Sequence, residues 1–191
     1  MHLQPANLYH IYNRSNNKEL LFSNREDYLF FLRKIRSYLI PHCDILNYCL
    51  MPTHFHFLLY LEQDVNIDLF RNAVGVLLRS YTQAINKQNG RTGSLFQLHT
   101  KAKEVSEYEF ICFNYIHQNP FVGKQVKKME DWEFSSFRDY LGLRDGTLCN
   151  KTLAEELLGI EWRVENFYKL SYRDIPEEKI KSLYVDKTVY C

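Results

Sequence analysis

Apolar residues recur along the first part of the chain with two different periods. Residues 8–14 are rich in aromatic and β-branched types, which is typical of a strand. A capping-box pattern at 23–26 then predicts the start of a helix. Its apolar residues lie three and four positions apart, and the helix should end before Pro41. Two apolar runs, 45–50 and 55–61, are separated by a proline and predict neighbouring strands.

The second part of the chain continues this alternation. Asn66 can cap a second long helix, which Gly90 is placed to end. A short strand is expected near residues 95–99, and a second capping box at 106–109 predicts a third helix that stops before Pro120. The order strand, helix, strand, strand, helix, strand predicts an α+β fold. It is the ferredoxin-like β-α-β-β-α-β pattern, with an antiparallel sheet and helices over one sheet face.

The chain becomes more acidic and less regular after about residue 123. A length of 191 residues allows one domain and an appendage, rather than two full domains. We therefore assign residues 1–142 to a domain and predict a helical tail over residues 143–191.

Charge is close to neutral overall but unevenly placed. The chain has 24 Lys+Arg and 23 Asp+Glu, a net charge of +1, so total charge gives no reason to expect a nucleic-acid partner. Residues 69–103, however, contain basic residues, with aromatic and amide side chains among them, and no acidic ones. Such a stretch suits a groove that follows a single-stranded nucleic acid, although a solvated helix face with a basic loop explains it equally well. The basic residues are Arg71, Arg79, Lys87, Arg91, Lys101 and Lys103.

Cysteine usage and the lack of long apolar runs indicate the cellular compartment of the protein. The five cysteines are odd in number and form no CxxC pair, which favours reduced thiols in the cytoplasm. The first seven residues lack the features of a signal peptide, and no apolar run approaches the roughly 18 residues of a membrane span. The sequence predicts a cytoplasmic protein with no membrane partner.

Residues 51–57 hold the strongest local signal for chemistry. In a strand, His54 and His56 project to the same face, while Phe55 between them enters the opposite layer. Two neighbouring imidazoles are half of a metal site, which would need a third protein ligand. The alternative is two histidines on a half-polar sheet face.

A second signal lies near the end of the third predicted helix. Tyr115 and Asn119 are four residues apart and share a helix face, where a hydroxyl would stand beside an amide oxygen able to bind a hard cation. Gln118 could supply the amide instead. The alternative is a core tyrosine and an asparagine that helps to end the helix before a proline.

These motifs resemble those of a known family. The Met-Pro-x-His-x-His context of His54 and His56 is similar to the HUH signature of single-tyrosine transposases, known from insertion sequences. Residues 115–120 resemble the tyrosine motif of the REP-associated tyrosine transposase branch. Three further matches keep the same order within residues 8–142: Tyr9-His10-Ile11 with Asn13-Arg14, Gly93-Ser-Leu-Phe-Gln97, and Trp132-Glu-Phe-Ser-Ser136.

The resemblance implies an HUH nuclease domain that binds single-stranded DNA beside a hairpin. His54 and His56 would hold Mg²⁺ or Mn²⁺ with Asn119 as third ligand, and Tyr115 would attack the scissile phosphate. A 5′-phosphotyrosine bond and a free 3′-hydroxyl would form, and reversal of the attack would transfer the strand. Arg14, at the end of the first strand, is a further candidate phosphate contact. The candidate DNA contacts are Arg14, Arg79, Arg91, Lys101 and Lys103.

Two departures from the branch pattern concern the surroundings of the site. Thr53 stands where the branch commonly has asparagine, and residues 121–123 lack a basic residue usual there, which leaves DNA affinity or hairpin choice open. The tail has no recognisable motif and would either clamp DNA or pack over the site. The protein would act as a monomer or as a homodimer that exchanges tyrosine helices.

Two other functions stay open beside the metal-dependent DNA transposase or strand-transferase. One is a non-catalytic single-stranded DNA-binding or regulatory protein on the same scaffold. The other is an unrelated metalloenzyme that uses the histidine pair on a small molecule.

Overall fold

A computed structural model describes residues 1–159 and 164–185 of the protein. Within these ranges, four strands form one antiparallel sheet in the order β2-β3-β1-β4. Helix α1 connects β1 to β2, and helix α2 connects β3 to β4, so the α+β, ferredoxin-like prediction is confirmed. The elements of this unit are β1 (Asn7–Arg14), α1 (Arg25–Tyr38), β2 (Asp44–Met51), β3 (His54–Leu61), α2 (Ile67–Asn89) and β4 (Lys101–Glu104).

Further helices follow the ferredoxin-like unit. The longest of them, α3, packs directly on β2 and β3. The shorter ones belong to the segment that returns along the sheet and to the predicted helical tail. The five helices are α3 (Glu109–Val122), α4 (Phe137–Tyr140), α5 (Lys151–Leu158), α6 (Val164–Ser171) and α7 (Glu177–Ser182).

The alternation of side chains along β3 separates two hydrophobic cores. Phe55 and Phe57 pack with residues of α1 and α2 on one sheet face. Leu58 packs with α3 on the other face. The expectation that helices cover a single face is therefore wrong for α3. Its residues 112–120 are all buried, because they lie between the sheet and the tail.

Three predicted boundaries differ from the structure at helix ends. The box that opens α1 is formed by Asn24 and Asp27, one residue later than predicted. The capping box predicted for α3 does not form, since the Ser106 hydroxyl donates to Glu104 instead. Helix α3 also continues through Pro120, because a proline in the last turn removes only one intrahelical hydrogen bond.

The strand predicted at 95–99 lies instead at 101–104, as β4. Residues 95–97 run beside the chain that leaves β1. Gln97 N donates to Arg14 O at 2.9 Å, and Asn16 N donates to Leu95 O at 3.0 Å. His99 then adopts a left-handed conformation (φ 66°), which interrupts the extended chain before β4 begins.

Three hydrogen bonds hold the sheet against the segments that follow it. Asn47, fully buried after a register shift in β2, donates to the carbonyl of Phe113 in α3 at 2.8 Å. Residues 132–136 run along the outer edge of β2, where Leu50 N donates to Phe134 O at 2.9 Å. The Trp132 indole also donates to Leu50 O at 3.0 Å. This segment therefore covers the open edge of the sheet.

The tail shares the core on the α3 side of the sheet. Ala154, Phe167, Leu183 and Tyr184 are buried in that core. The boundary at residue 142 stays a prediction, and the parts of the predicted tail at 160–163 and 186–191 lie outside the described residues.

Four of the five cysteines are buried free thiols, whereas Cys191 lies outside the described residues. Over residues 1–159 and 164–185, no helix combines the length and apolar character that a bilayer crossing requires.

Candidate functional site

The sheet face beneath α3 carries a row of histidines. His54 and His56 on β3 have ring centroids 5.1 Å apart. On β1, Tyr12 pairs with His56, and His10 precedes Tyr12 by two residues, so it lies on the same face. His10 Nε2 is hydrogen-bonded to His56 Nδ1 at 2.9 Å. The predicted histidine pair is therefore joined by a third histidine from the neighbouring strand.

Helix α3 places the predicted tyrosine over this row. The ring centroid of Tyr115 lies 5.8 Å from that of His56 and 6.1 Å from that of His10, both with edge-on geometry. One turn later, Asn119 Nδ2 donates to the carbonyl of Tyr115 at 2.8 Å. The Asn119 side chain is also hydrogen-bonded to His54. The fold thus brings together the predicted tyrosine, both histidines and the asparagine within one chain.

The side chain of Gln118, the alternative amide, is hydrogen-bonded to the tail. Its Nε2 donates to the carbonyls of Ser171 and Arg173 in the tail, at 2.7 and 2.8 Å. Between the two amides proposed from the sequence, the structure therefore favours Asn119 as the neighbour of the histidines. Gln118 holds the tail against α3.

The last described residues of the tail lie over the row of histidines. The Tyr184 hydroxyl is hydrogen-bonded to the Tyr115 hydroxyl. On either side, Leu183 O accepts from His10 Nδ1 at 2.9 Å, and Val185 N donates to the Tyr12 hydroxyl at 2.9 Å. The tail therefore packs over the candidate site, and its Tyr184 hydroxyl forms a hydrogen bond with the hydroxyl of Tyr115.

A cavity of about 690 Å³ opens beside the row of histidines. His54, His56 and Tyr184 form part of its wall. Its cationic side chains are Arg14 at the end of β1, Lys18 after that strand and Lys101 on β4, and none of the described residues that line it is Asp or Glu. We name this cavity the cationic cleft. Its charge suits a polyanion.

Burial keeps the histidines of the site neutral near pH 7. It lowers the pKa of His54 to about 4; positive Arg14 adds to this effect, and the bond to Asn119 opposes it. Burial likewise lowers the pKa of His10 to about 4, and that of His56 well below its ordinary value. Neutral imidazoles have lone pairs available for a cation.

Comparison with solved structures identifies a similar architecture. The structure of a REP-associated tyrosine transposase bound to a REP hairpin superposes with a TM-score of 0.57, at 18% sequence identity. The match covers 74% of this chain and 82% of that one. The two proteins share a fold. No family model matches the sequence, and no curated protein matches it significantly.

On this fold, the predicted DNA contacts separate into two groups. Arg14 and Lys101 line the cationic cleft, and Lys103 pairs with His10 across β1 and β4, on the same sheet face. Arg79 is exposed on α2, which packs on the opposite face, and Arg91 is bound to Glu19 and Asn86. Arg14, Lys101 and Lys103 therefore lie on the side of the sheet that carries the histidines, whereas Arg79 lies on the other side.

Several residues of the site have no role predicted from the sequence. His10 and Tyr12 alternate on β1, and this period of two was visible in the motif at residues 9–14. Lys18 follows the same strand, in a segment without a regular period. Tyr184 is 69 residues from its partner Tyr115, and no local pattern marks it.

The buried histidines make stability depend on pH. His10 and His117 are fully buried, and burial lowers their pKa values to about 4 and about 3. The unfolded chain takes up these protons near pH 6.5, whereas the folded chain does not. The free energy of unfolding should therefore decrease as the pH is lowered from 6.5 to 4, by up to about 1.4 kcal/mol per pH unit for each histidine. Urea denaturation at pH 7, 6 and 5 measures this; equal midpoints would contradict it.

Proposed function

We propose that this protein is a metal-dependent single-stranded DNA transposase or strand-transferase that cuts beside a hairpin. The observation that carries the proposal is the position of Tyr115 over His56 and His54, in one chain and beside a cleft with cationic walls. The similarity to a fold that binds a REP hairpin in another protein supports a DNA partner.

The donor atoms of the site suit a divalent cation. Within residues 1–159 and 164–185, His56 Nε2 is buried with no hydrogen-bond partner, although its ring is neutral. Asn119 brings an amide oxygen to His54. His54, His56 and Asn119 would hold the ion, Mg²⁺ or Mn²⁺. When bound, it would polarise a phosphoryl oxygen and orient the phosphate for in-line attack.

The charge of the proposed ligands gives the DNA a role in the site. In the described part of the chain, no three His, Cys, Asp or Glu side chains are grouped to hold a metal ion. Two imidazoles and an amide are neutral, and the nearby Arg14 and Lys101 are cationic. A DNA phosphate would supply the anionic oxygens that the protein does not, so DNA and cation should strengthen each other's binding.

Tyr115 would supply the nucleophilic oxygen. Its Oη would bond to the scissile phosphorus as the bond to the 3′-oxygen breaks. Solvent would take up the phenolic proton and return one to the departing 3′-oxygen, so that the released strand ends in a 3′-hydroxyl. The phosphotyrosine ester has an energy similar to that of the phosphodiester bond that was cut. A second 3′-hydroxyl can therefore attack it without a nucleotide cofactor. Arg14, Lys18 and Lys101 would bind the backbone beside the cut.

The proposal predicts a cation-dependent covalent adduct. The protein is incubated with pooled single-stranded oligonucleotides that carry a hairpin and randomised flanks, with Mn²⁺ or with EDTA. A species that survives denaturing electrophoresis should form with Mn²⁺ only. His56→Ala should reduce it by on the order of a hundredfold or more, because one ligand is lost. His42→Ala, which removes a histidine outside the cleft, serves as the matched control.

A non-catalytic single-stranded DNA-binding protein is the second candidate. The hydrogen bond between the Tyr115 and Tyr184 hydroxyls favours it, because it occupies the proposed nucleophile. This candidate predicts that the oligonucleotide pool is retained by the protein in a salt-dependent way while no adduct appears with any cation. Adduct formation would therefore decide between the two.

A further inference from the structure

We propose that His10 is a positioning residue that fixes the tautomer of His56 and leaves the Nε2 atom of His56 unprotonated. This inference rests on the proposed function, in which His56 is a cation ligand. It concerns a residue that would not touch the cation or the DNA. His10 would act only through the imidazole beside it.

The chain of hydrogen bonds begins at the tail. The carbonyl oxygen of Leu183 can only accept, so His10 Nδ1, at 2.9 Å, must carry a proton. A neutral imidazole has one donor and one acceptor nitrogen, and His10 Nε2 is therefore the acceptor. The donor that it faces, also at 2.9 Å, is His56 Nδ1. The proton of the neutral His56 ring is thereby placed on Nδ1, and Nε2 retains its lone pair.

Burial supports the neutral form of both rings. His10 is 0% exposed and His56 is 1% exposed. The groups packed edge-on around His10 are the uncharged rings of Tyr115 and Tyr184. A buried imidazolium without a counter-ion would be costly. The alternative pattern, with a charged His10 that donates from both nitrogens, would therefore be unfavourable.

The state of His56 Nε2 agrees with this assignment. A buried N–H without an acceptor carries a full desolvation penalty, and natural structures seldom contain one. In the described residues, Nε2 of His56 has no hydrogen-bond partner. An unprotonated nitrogen in this position is ready to bind a cation, and its orientation is fixed by the bond on the other side of the ring.

A purely structural role for His10 makes different predictions. In that role, His10 only satisfies the Leu183 carbonyl and fills space beside Tyr115. Any variant that keeps the bond to Leu183 would then suffice. In the positioning role, the bond to His56 matters instead.

Two amide variants separate these roles. In His10→Asn, the side chain reaches only the place of Nδ1, and it can keep the bond to Leu183. In His10→Gln, the longer side chain brings an amide oxygen to the place of Nε2, and it can accept from His56. His10→Phe keeps an aromatic ring at this position and removes the hydrogen bonds to Leu183 and His56. Far-ultraviolet circular dichroism and thermal midpoints report whether each variant is folded.

The first measurement is the affinity for Mn²⁺ in the absence of DNA, from the electron paramagnetic resonance signal of the free ion. His10→Phe and His10→Asn should weaken Mn²⁺ binding about tenfold to a hundredfold, which is the usual effect of removing a partner of a metal-bound histidine. His10→Gln should restore most of it. Equal affinity in the Asn and Gln variants would overturn the positioning role.

The second measurement needs neither a variant nor a metal. Long-range proton–nitrogen correlation NMR of the unchanged protein distinguishes protonated from unprotonated imidazole nitrogens. The expected result is a His56 ring protonated at Nδ1 and bare at Nε2, and protonation at Nε2 would overturn the role of His10. A protein with the expected tautomer that binds no Mn²⁺, with or without DNA, would instead overturn the proposed function.

Discussion

Tyr115→Phe is expected to abolish the covalent adduct with single-stranded hairpin DNA while leaving DNA binding intact. The change removes one oxygen atom, which is the proposed nucleophile, and keeps the ring that packs against His56 and His10. Loss of a nucleophile usually costs several powers of ten in rate, so the adduct should fall by on the order of a thousandfold or more. Denaturing electrophoresis measures the adduct, and fluorescence anisotropy at fixed salt measures binding.

The matched control is Tyr168→Phe. The Tyr168 hydroxyl is hydrogen-bonded to Glu130 outside the cationic cleft, and its loss should leave the adduct unchanged. Peptide mapping of the adduct from the unchanged protein should place the nucleotide on the peptide that contains Tyr115. An adduct of equal yield in Tyr115→Phe would show that another residue is the nucleophile, and Tyr184 would then be the first to examine because it lies beside it.

Tyr184→Phe is expected to increase the initial rate of adduct formation. The change removes the hydrogen bond between the two hydroxyls and retains the buried ring of residue 184. A hydrogen bond of this kind contributes about 0.5–1.5 kcal/mol net, which corresponds to an increase of up to roughly tenfold. Tyr184→Ala should increase the rate further, because the ring would also leave the wall of the cleft.

The rate in these variants is compared at saturating DNA, with Tyr168→Ala as a control in the same tail. Its side chain is exposed and does not line the cleft, so its rate should equal that of the unchanged protein. A lower thermal midpoint is expected for Tyr184→Ala, because a buried side chain is truncated. A slower adduct in folded Tyr184→Phe would mean that the second hydroxyl assists the reaction, and it would contradict an inhibitory contact.

Local periodicity explains what the sequence could predict. His54 and His56 share a sheet face because strand side chains alternate, and Tyr115 and Asn119 share a helix face because four residues complete about one turn. Both relations hold in the structure, where α3 brings the two pairs together. The order of the first six elements followed from the same periodicities.

Tertiary contacts explain what the sequence could not predict. Residues 95–99 are of types suited to a strand, but residues 95–97 are hydrogen-bonded to the end of β1 and to the chain that follows it. Residues 101–104 pair with the centre of β1 instead. The run of basic residues between 69 and 103 is continuous only along the chain. In space, Arg79 and Lys101 lie on opposite sides of the sheet, because α2 covers the face that α3 does not.

The burial of residues 112–120 limits how far α3 could move during the proposed DNA-cleavage reaction. Asn47 binds this segment of α3 from the sheet, and the carbonyls of Ser171 and Arg173 bind Gln118 from the other side. An exchange of the helix between two copies would require both sets of contacts to break, with exposure of apolar surface, before the same contacts could form with the partner copy. We therefore expect Tyr115, the proposed nucleophile, to stay in place while the two DNA ends change places over it. Adduct formation should then be first order in protein concentration, and turnover should be set by how fast the departing strand diffuses out of the cleft.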